Sequence, residues 1–272
     1  MPATPEHMKF LTSMFFQSSN FGEKAAQQLG TLGGGNHFIE IQATKDGYVG
    51  VMIHSGSRNL GKQVADAYNN TAKMLNQKWH TGGVDDLAYL PAATQEGQAY
   101  LDAMNYCVDY ALLNRELMMS IVKSVITEYV RSHVRWEDNI NIAHNYARVE
   151  NHFGKNVMVH RKGATSARKD ELGVIPGSQG SNSYIVKGLG EAESFHSCSH
   201  GAGRKMGRNH AKKTLSLETE LSKMDGIVHG IKSEGDLDEA PGAYKDIHTV
   251  MLNQTDLVEV VDELTPLAVV KG

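Results

Sequence analysis

The stretch TLGGGNHFIEIQATKDGYVGVMIHSGSRNLG, residues 31–61, decides the type of fold. A glycine turn passes into the alternating run Phe38-Ile39-Glu40-Ile41, which reads as a strand. The pattern then repeats: residues 48–54 read as a second strand that ends at His54 and runs into a Gly/Ser turn. A helix is expected only afterwards, from Asn59 toward Trp79. Strand follows strand without an intervening crossover helix. That argues for an α+β fold rather than a doubly wound sheet.

The flanking sequence extends this reading. Residues 1–30 read as helical with a polar surface, and FGEKAAQQLG closes on a glycine suited to a helix C-terminus. Residues 80–97 are loop-like. The clearest helix is 98–132, where Leu101, Met104, Val108, Leu112, Met119, Val122 and Ile126 recur at three- and four-residue spacings. It reads as a core helix, with Cys107 as one of its small apolar residues. Beyond INIAHNYARVENHFG, strands are expected in NVMVHRKG, SYIVKG, GIVHGI and LAVVKG, with a helix over roughly 204–223. Repeats, low-complexity tracts and linkers are not seen. The expectation is a single domain over 1–272, α+β, of mixed and largely antiparallel strands with a long core helix.

Composition limits the function classes. The 272 residues can bury a sizeable core, and 40% apolar with 21% charged residues is ordinary for a globular protein. A net charge of −4 excludes a general nucleic-acid coat, so any contact with nucleic acid must be local. No apolar run is long enough to span a membrane, and MPATPEHMKF has no signal-peptide pattern. Two cysteines, Cys107 and Cys198, exclude a disulfide framework and favour a reducing compartment; a cytoplasmic location is expected.

Unusual among these numbers are 27 glycines and 13 histidines, often adjacent. His37 follows Gly33-Gly34-Gly35-Asn36, His54 precedes Ser55-Gly56-Ser57-Arg58, and His144 lies in IAHNY. Each stands where a regular element meets a polar turn, so the three can converge at one end of a sheet. Neutral imidazole is a common ligand for transition metals, although a single turn histidine is more often just hydrogen-bonded. No HExxH or paired-cysteine pattern fixes a metal. His200 stands against Gly201, Ala202 and Gly203, with Arg204 close behind. It reads as a metal ligand, a nucleophile toward phosphate, or part of a glycine turn. Phosphate-binding potential recurs in HSGSRNLG with Arg58, HRKGATSARKD with Arg161 and Lys162, PGSQGSNSY with Ser178 and Ser183, and HGAGRKMGR with Arg204 at an expected helix N-terminus. Together these suggest a pocket for nucleotide or nucleic-acid phosphates.

GGGNHFIE, HSGSRNLG, AHNYA, VHRKGAT, IPGSQGSNSY, SCSHGAGR, EAPGAYKD and LAVVKG occur in this order. From about Thr31 to Gly272 the chain resembles the RtcB family of GTP-dependent RNA ligases, which act in tRNA splicing and RNA repair. The resemblance implies joining of RNA 3′-phosphate or 2′,3′-cyclic phosphate ends to 5′-hydroxyl ends, with Mn²⁺ and GTP as cofactors. It implies that His200 becomes guanylylated, that GMP passes to the RNA 3′-phosphate, and that the 5′-hydroxyl displaces it. By the same resemblance His37, His54 and His144 hold the metal. Asn36 contacts phosphate, and Glu40 and Lys271 form the guanine pocket. Ser178, Ser183, Gly201, Ala202, Gly203 and Tyr244 supply further nucleotide contacts. Arg58 matches a family arginine that holds the RNA phosphate; Arg161, Lys162 and Arg204 are expected to join it.

One departure stands out. Family members carry an Asp-x-x-Cys-Gly metal motif ahead of GGGNH, and this sequence does not contain it. Neither cysteine replaces it. The expectations are an N-terminally truncated form of the family fold, weaker metal binding with one ion or two, and an apolar face left exposed. Partners implied are RNA, an archease-type activator and a separate chain supplying the missing motif. The alternative reading is an impaired or split relative that binds GTP or RNA ends. Without the family, the residues point to a metal-dependent enzyme acting on phosphates, such as a phosphodiesterase.

Overall fold

The computed structural model describes residues 21–81, 87–130, 133–137 and 139–272. The expected helix over 1–30 therefore lies outside the described residues up to residue 20. So do residues 82–86 of the expected loop and residues 131–132 of the expected long helix. The chain forms two compact units: one contains the described residues up to Thr31 and Ser55–Lys123, the other Leu32–His54 and Ser124–Gly272.

The first unit is helical. It holds α1 (Phe21–Gln28), α2 (Arg58–Lys78) and most of α3 (Gln95–Val130). Leu60, Val64 and Tyr68 lie one turn apart on α2 and pack with Ala103, Cys107 and Tyr110 of α3. The most buried stripe of α3 is Ala103, Cys107, Tyr110, Asn114 and Met118, not the expected Leu101–Ile126 set. Of that set only Met104 is buried. The stripe includes a polar residue because Asn114 satisfies backbone left over at the end of α1. Its Oδ1 accepts from the Gly30 and Thr31 amides at 2.7 and 3.2 Å, and its Nδ2 donates to Ser55 Oγ at 3.1 Å. Farther along α3, Leu113, Leu117, Ile121 and Val125, four residues apart, are exposed.

The second unit is built on a five-stranded sheet of order β2-β1-β9-β7-β6. Its strands are β1 (Phe38–Ala43), β2 (Val49–His54), β6 (Leu172–Ile175), β7 (Ser183–Gly188) and β9 (Val258–Lys271), and every neighbouring pair is antiparallel. β9 is central although it is last in sequence. Pro266 is tolerated there because it sits where the β1–β9 register shifts, a bulge that spares the ladder a missing donor. Two further pairs complete the strands: β3 (Asn145–His152) with β4 (Lys155–Lys162), and β5 (Ala164–Ser166) with β8 (Ser197–Ser199). Phe153 and Gly154 join β3 to β4 with φ of +52° and +74°, the left-handed pair that a two-residue hairpin needs. The core is Ile175, Tyr184, Val186, Cys198, Ile247 and their neighbours.

Two expectations are corrected here. The helix expected over 204–223 is two short ones, α4 (Arg208–Thr214) and α5 (Leu217–Ser222). Leu215 turns extended, and the Ser216 side chain caps the second helix by accepting from the Thr219 amide. GIVHGI forms no strand; it contributes one bridge, Val228 to Ala268. A further short helix, α6, spans Ile247–Leu252. The α+β class, the largely antiparallel strands and the long helix are as expected.

Candidate functional site

Strand ends bring the histidines together. β1 and β2 are antiparallel with Phe38 opposite His54, so His37, just ahead of β1, and His54, closing β2, emerge at the same end. His144 precedes β3, and His200 follows β8. The rings form a chain: His37 to His54 at 6.0 Å between centroids, His54 to His144 at 5.1 Å, and His144 to His200 at 4.9 Å. The sequence expected three imidazoles within reach of a fourth, and the second unit holds all four.

Their chemistry differs. His37 Nδ1 lies 2.9 Å from the Leu32 carbonyl oxygen. A carbonyl only accepts, so Nδ1 carries the proton and Nε2 keeps the lone pair. A metal–imidazole bond is about 2.1 Å, so rings spaced this closely can share an ion. Residue type and spacing therefore suit a metal. Among the described residues, though, no three His, Cys, Asp or Glu side chains already converge on one point. Cys107 and Cys198 offer no thiolate, because burial pushes both thiols up to about 12.

His200 is held below the ordinary histidine range, chiefly by burial, with the Lys162 charge acting in the same sense and the Gly163 backbone opposing it. Its Nδ1 is buried. The ring is therefore neutral at pH 7. Gly163 (φ +73°) turns the chain beside that ring in a conformation that favours glycine.

The glycine-rich loops are stitched to one another around His200. The Ala202 amide donates to the Pro176 carbonyl at 2.9 Å, Lys245 N to Gly203 O at 2.9 Å, and Lys205 N to Ala243 O at 3.0 Å. A Cβ on Gly201 would lie 3.1 Å from the Pro176 oxygen, so a side chain there would crowd that carbonyl. At the other end of β9, a Cβ on Gly272 would lie 2.1 Å from the Gly33 oxygen. The tail thus rests on the turn that carries Asn36, itself exposed.

Glu40 and Lys271 share a sheet face, since Lys271 pairs with Phe38 and Val269 with Glu40. Glu40 is 3% exposed. Burial raises its pKa to about 8, against the hydrogen bond from Gln42 Nε2 (2.5 Å) and the Lys271 charge. Burial likewise lowers Lys271, whose Nζ stands 5.9 Å from the Phe38 ring centroid.

Several expected contacts are engaged elsewhere. Ser183 is buried, and its hydroxyl accepts from the Gly177 amide at 3.2 Å. Ser178 Oγ lies 2.9 Å from Ser181 Oγ. Both hydroxyls shape their loop. Arg204 is not at a helix N-terminus, because α4 begins at Arg208. Its guanidinium donates to the Asp238 and Met206 carbonyls at 2.5 and 3.1 Å and pairs with Glu239 at 3.1 Å. Tyr244 also donates to Glu239, and Arg204 lies 5.2 Å from its ring. Arg161 is buried and fully bonded within the protein, which does not suit an open phosphate contact. Lys162 is exposed and acts electrostatically on His200. Arg58 belongs to the first unit, where its Nε donates to Thr31 Oγ1 at 3.2 Å.

Sequence reasoning missed Glu239, the buried carboxylate around which Arg204, Arg208 and Tyr244 gather. Its only signal was membership of EAPGAYKD. A cavity of about 550 Å³ bounded by Ser199, Lys245, Asp246, Thr249, Asn253 and Gln254 contains none of the expected residues.

Imidazoles gathered at strand ends, beside glycine-rich loops, define the candidate site. A family model described as tRNA-splicing ligase RtcB matches residues 8–272, and the chain belongs to that family. It is 42% identical over 264 residues to the RNA-splicing ligase RtcB of Escherichia coli K12, covering 95% of this chain and 63% of that protein. It is 35% identical over 298 residues to the tRNA-splicing ligase RtcB of Nanoarchaeum equitans, with 94% and 62% covered. Against the RNA-splicing ligase RtcB of Mycobacterium tuberculosis the figures are 32% over 287 residues, 92% and 66%. The chain thus spans less than two thirds of the length of these relatives.

Proposed function

We propose that the protein is a GTP-dependent RNA ligase that joins 3′-phosphate or 2′,3′-cyclic phosphate ends to 5′-hydroxyl ends, with His200 as its nucleophile. The observation that carries this is the unbroken chain of rings from His37 through His54 and His144 to His200. It puts a neutral imidazole beside a set of metal-competent ones.

With Nδ1 buried, His200 offers the lone pair of Nε2 to the α-phosphorus of GTP; a P–N bond forms and pyrophosphate leaves. The guanylyl group passes to the RNA 3′-phosphate, which frees the imidazole, and the 5′-hydroxyl then displaces GMP. His37, His54 and His144 would hold Mn²⁺, which supplies Lewis-acid stabilisation of phosphate charge when bound. Glu40 accepts from guanine N1–H and the exocyclic amine. Those donors favour its ionised form, so binding of the base and loss of the Glu40 proton are coupled. Lys271 closes the same face, and exposed Lys162 offsets phosphate charge near His200. RNA ends are the substrate class, with tRNA splicing or RNA repair as the setting. An archease-type activator and a separate chain bearing further metal ligands are the proposed partners, and the cytoplasm the proposed location. No described helix is long and apolar enough to cross a membrane.

The test is incubation with α-labelled GTP and Mn²⁺. The wild type takes up acid-labile label and His200→Ala takes up none; label retained by the variant overturns the assignment. A second reading, a relative that binds GTP or RNA ends without ligating them, is favoured by the lack of three converging metal donors among the described residues. It predicts RNA-end binding that survives His200→Ala with no joined product in either protein.

A further inference from the structure

Arg161 is joined to the loop that leads into His200. Its Nη1 and Nη2 donate to the two carboxylate oxygens of Glu150 at 2.5 and 3.0 Å, a two-pronged pair. The remaining donors reach elsewhere: Nη2 to the Phe195 carbonyl at 2.9 Å, Nε to Ser197 Oγ at 3.0 Å, and Nη1 to the Tyr146 hydroxyl at 3.2 Å. The guanidinium group is enclosed, with Arg161 1% exposed. Glu150 is in turn held by His152 Nε2 and Arg168 Nη2, each at 3.0 Å.

The loop it grips is strained. Phe195 and His196 have φ of +54° and +49°, consecutive left-handed residues with side chains. Such a turn persists only when its surroundings hold it. Here the Ala167 amide takes the His196 carbonyl at 2.8 Å, the His152 ring packs 4.9 and 4.8 Å from the rings of Phe195 and His196, and Arg161 takes the Phe195 carbonyl. Strand β8 starts at the next residue, and its last residue, Ser199, adjoins His200.

We infer that Arg161, locked by Glu150, is a positioning residue that fixes the Phe195–His196 turn and thereby aims the His200 ring, rather than a contact for RNA phosphate. The inference rests on His200 being the nucleophile. It assigns the buried pair a place in the guanylylation step, where misplacement of the attacking atom by about 1 Å costs on the order of a hundredfold.

The test uses the full chain as Arg161→Lys, Glu150→Gln and, as a milder change that spares the buried pair, Ser197→Ala. Guanylylation of His200 is followed in single turnovers with GTP and Mn²⁺. RNA affinity is measured with an oligonucleotide ending in a 3′-phosphate, and amide hydrogen exchange is mapped along the chain. Arg161→Lys and Glu150→Gln should each slow guanylylation at saturating GTP by about tenfold or more. Half-saturation by GTP and RNA affinity should stay within about twofold. The double variant should be no slower than the worse single one. Ser197→Ala should show a several-fold loss of the same kind. In all three, exchange should quicken over residues 195–199. The inference is overturned if Arg161→Lys weakens RNA binding and Glu150→Gln does not, or if exchange over 195–199 is unchanged. It is also overturned if exchange in Ser197→Ala rises across the whole chain. A wild type that takes no label refutes the nucleophile assignment instead, while the exchange map still decides whether the pair holds the turn.

Discussion

Glu40 is the residue whose ordinary behaviour the fold alters most at the site. Its folded-state pKa is raised to about 8 by burial. The folded protein therefore binds a proton there that the unfolded chain releases, and stability from this residue is full below about pH 4.5 and is lost as pH rises through 8. Glu40→Gln keeps the neutral shape and removes the titration. Unfolding midpoints in urea, measured from pH 5 to 8.5, should separate progressively, with the variant ahead at the alkaline end by a few kcal/mol; each tenfold in acidity is worth about 1.4 kcal/mol. His200, held low, works in the opposite sense in this range but is common to both proteins, so the difference curve isolates Glu40. Parallel curves would mean that the carboxyl is already ionised. Glu150 and Glu263, each lowered to about 2, with a hydrogen-bonding partner the largest cause (Arg161 and Asn182), contribute stability that is lost only as pH falls below the ordinary carboxylate range.

At the scale of elements, Asn114 shows how a helix is tied to its neighbours. It is fully buried, and its amide serves the Gly30 and Thr31 backbone just after α1 and the Ser55 hydroxyl. Asn114→Ala leaves these groups without partners and should cost about 1–3 kcal/mol, read as a lower denaturation midpoint for the helical unit. Asn114→Asp keeps the acceptor for the Gly30 and Thr31 amides but turns a carboxylate oxygen toward the Thr31 and Gly56 carbonyls, so near neutral pH it should recover none of the loss. The sequence announced this helix through its apolar spacing but gave no sign of Asn114, whose role arises from contacts more than 80 residues away. β1, β2, β4 and β7 were legible because glycines bound apolar runs. β3 was not, because its inward positions include Glu150 and His152 rather than apolar side chains. β5 and β8, three residues each, carry no period to read. The proximity of the four histidines could be anticipated because each borders a polar turn. Glu239 and Arg161 were misjudged for the opposite reason: their partners come from distant strands and loops, and charge in a sequence reads first as surface.

Over the whole molecule, the two cysteines are buried, and burial pushes both thiols up to about 12. Brief treatment of the native protein with iodoacetamide at pH 7.5 should leave its mass unchanged, whereas urea-unfolded protein gains two adducts. Modification of native protein would show that one of the cores opens readily. The topology of the sheet governs how the protein is made. β9 lies in the middle of the order β2-β1-β9-β7-β6, yet it leaves the ribosome after every strand it joins. Until then β1–β2 and β7–β6 are separate hairpins with open edges, each marginal in water. Co-translational folding must therefore stop short of this unit. A nascent chain stalled before Val258 is a natural client for chaperones, and premature termination there yields an aggregation-prone fragment instead of a weakened protein.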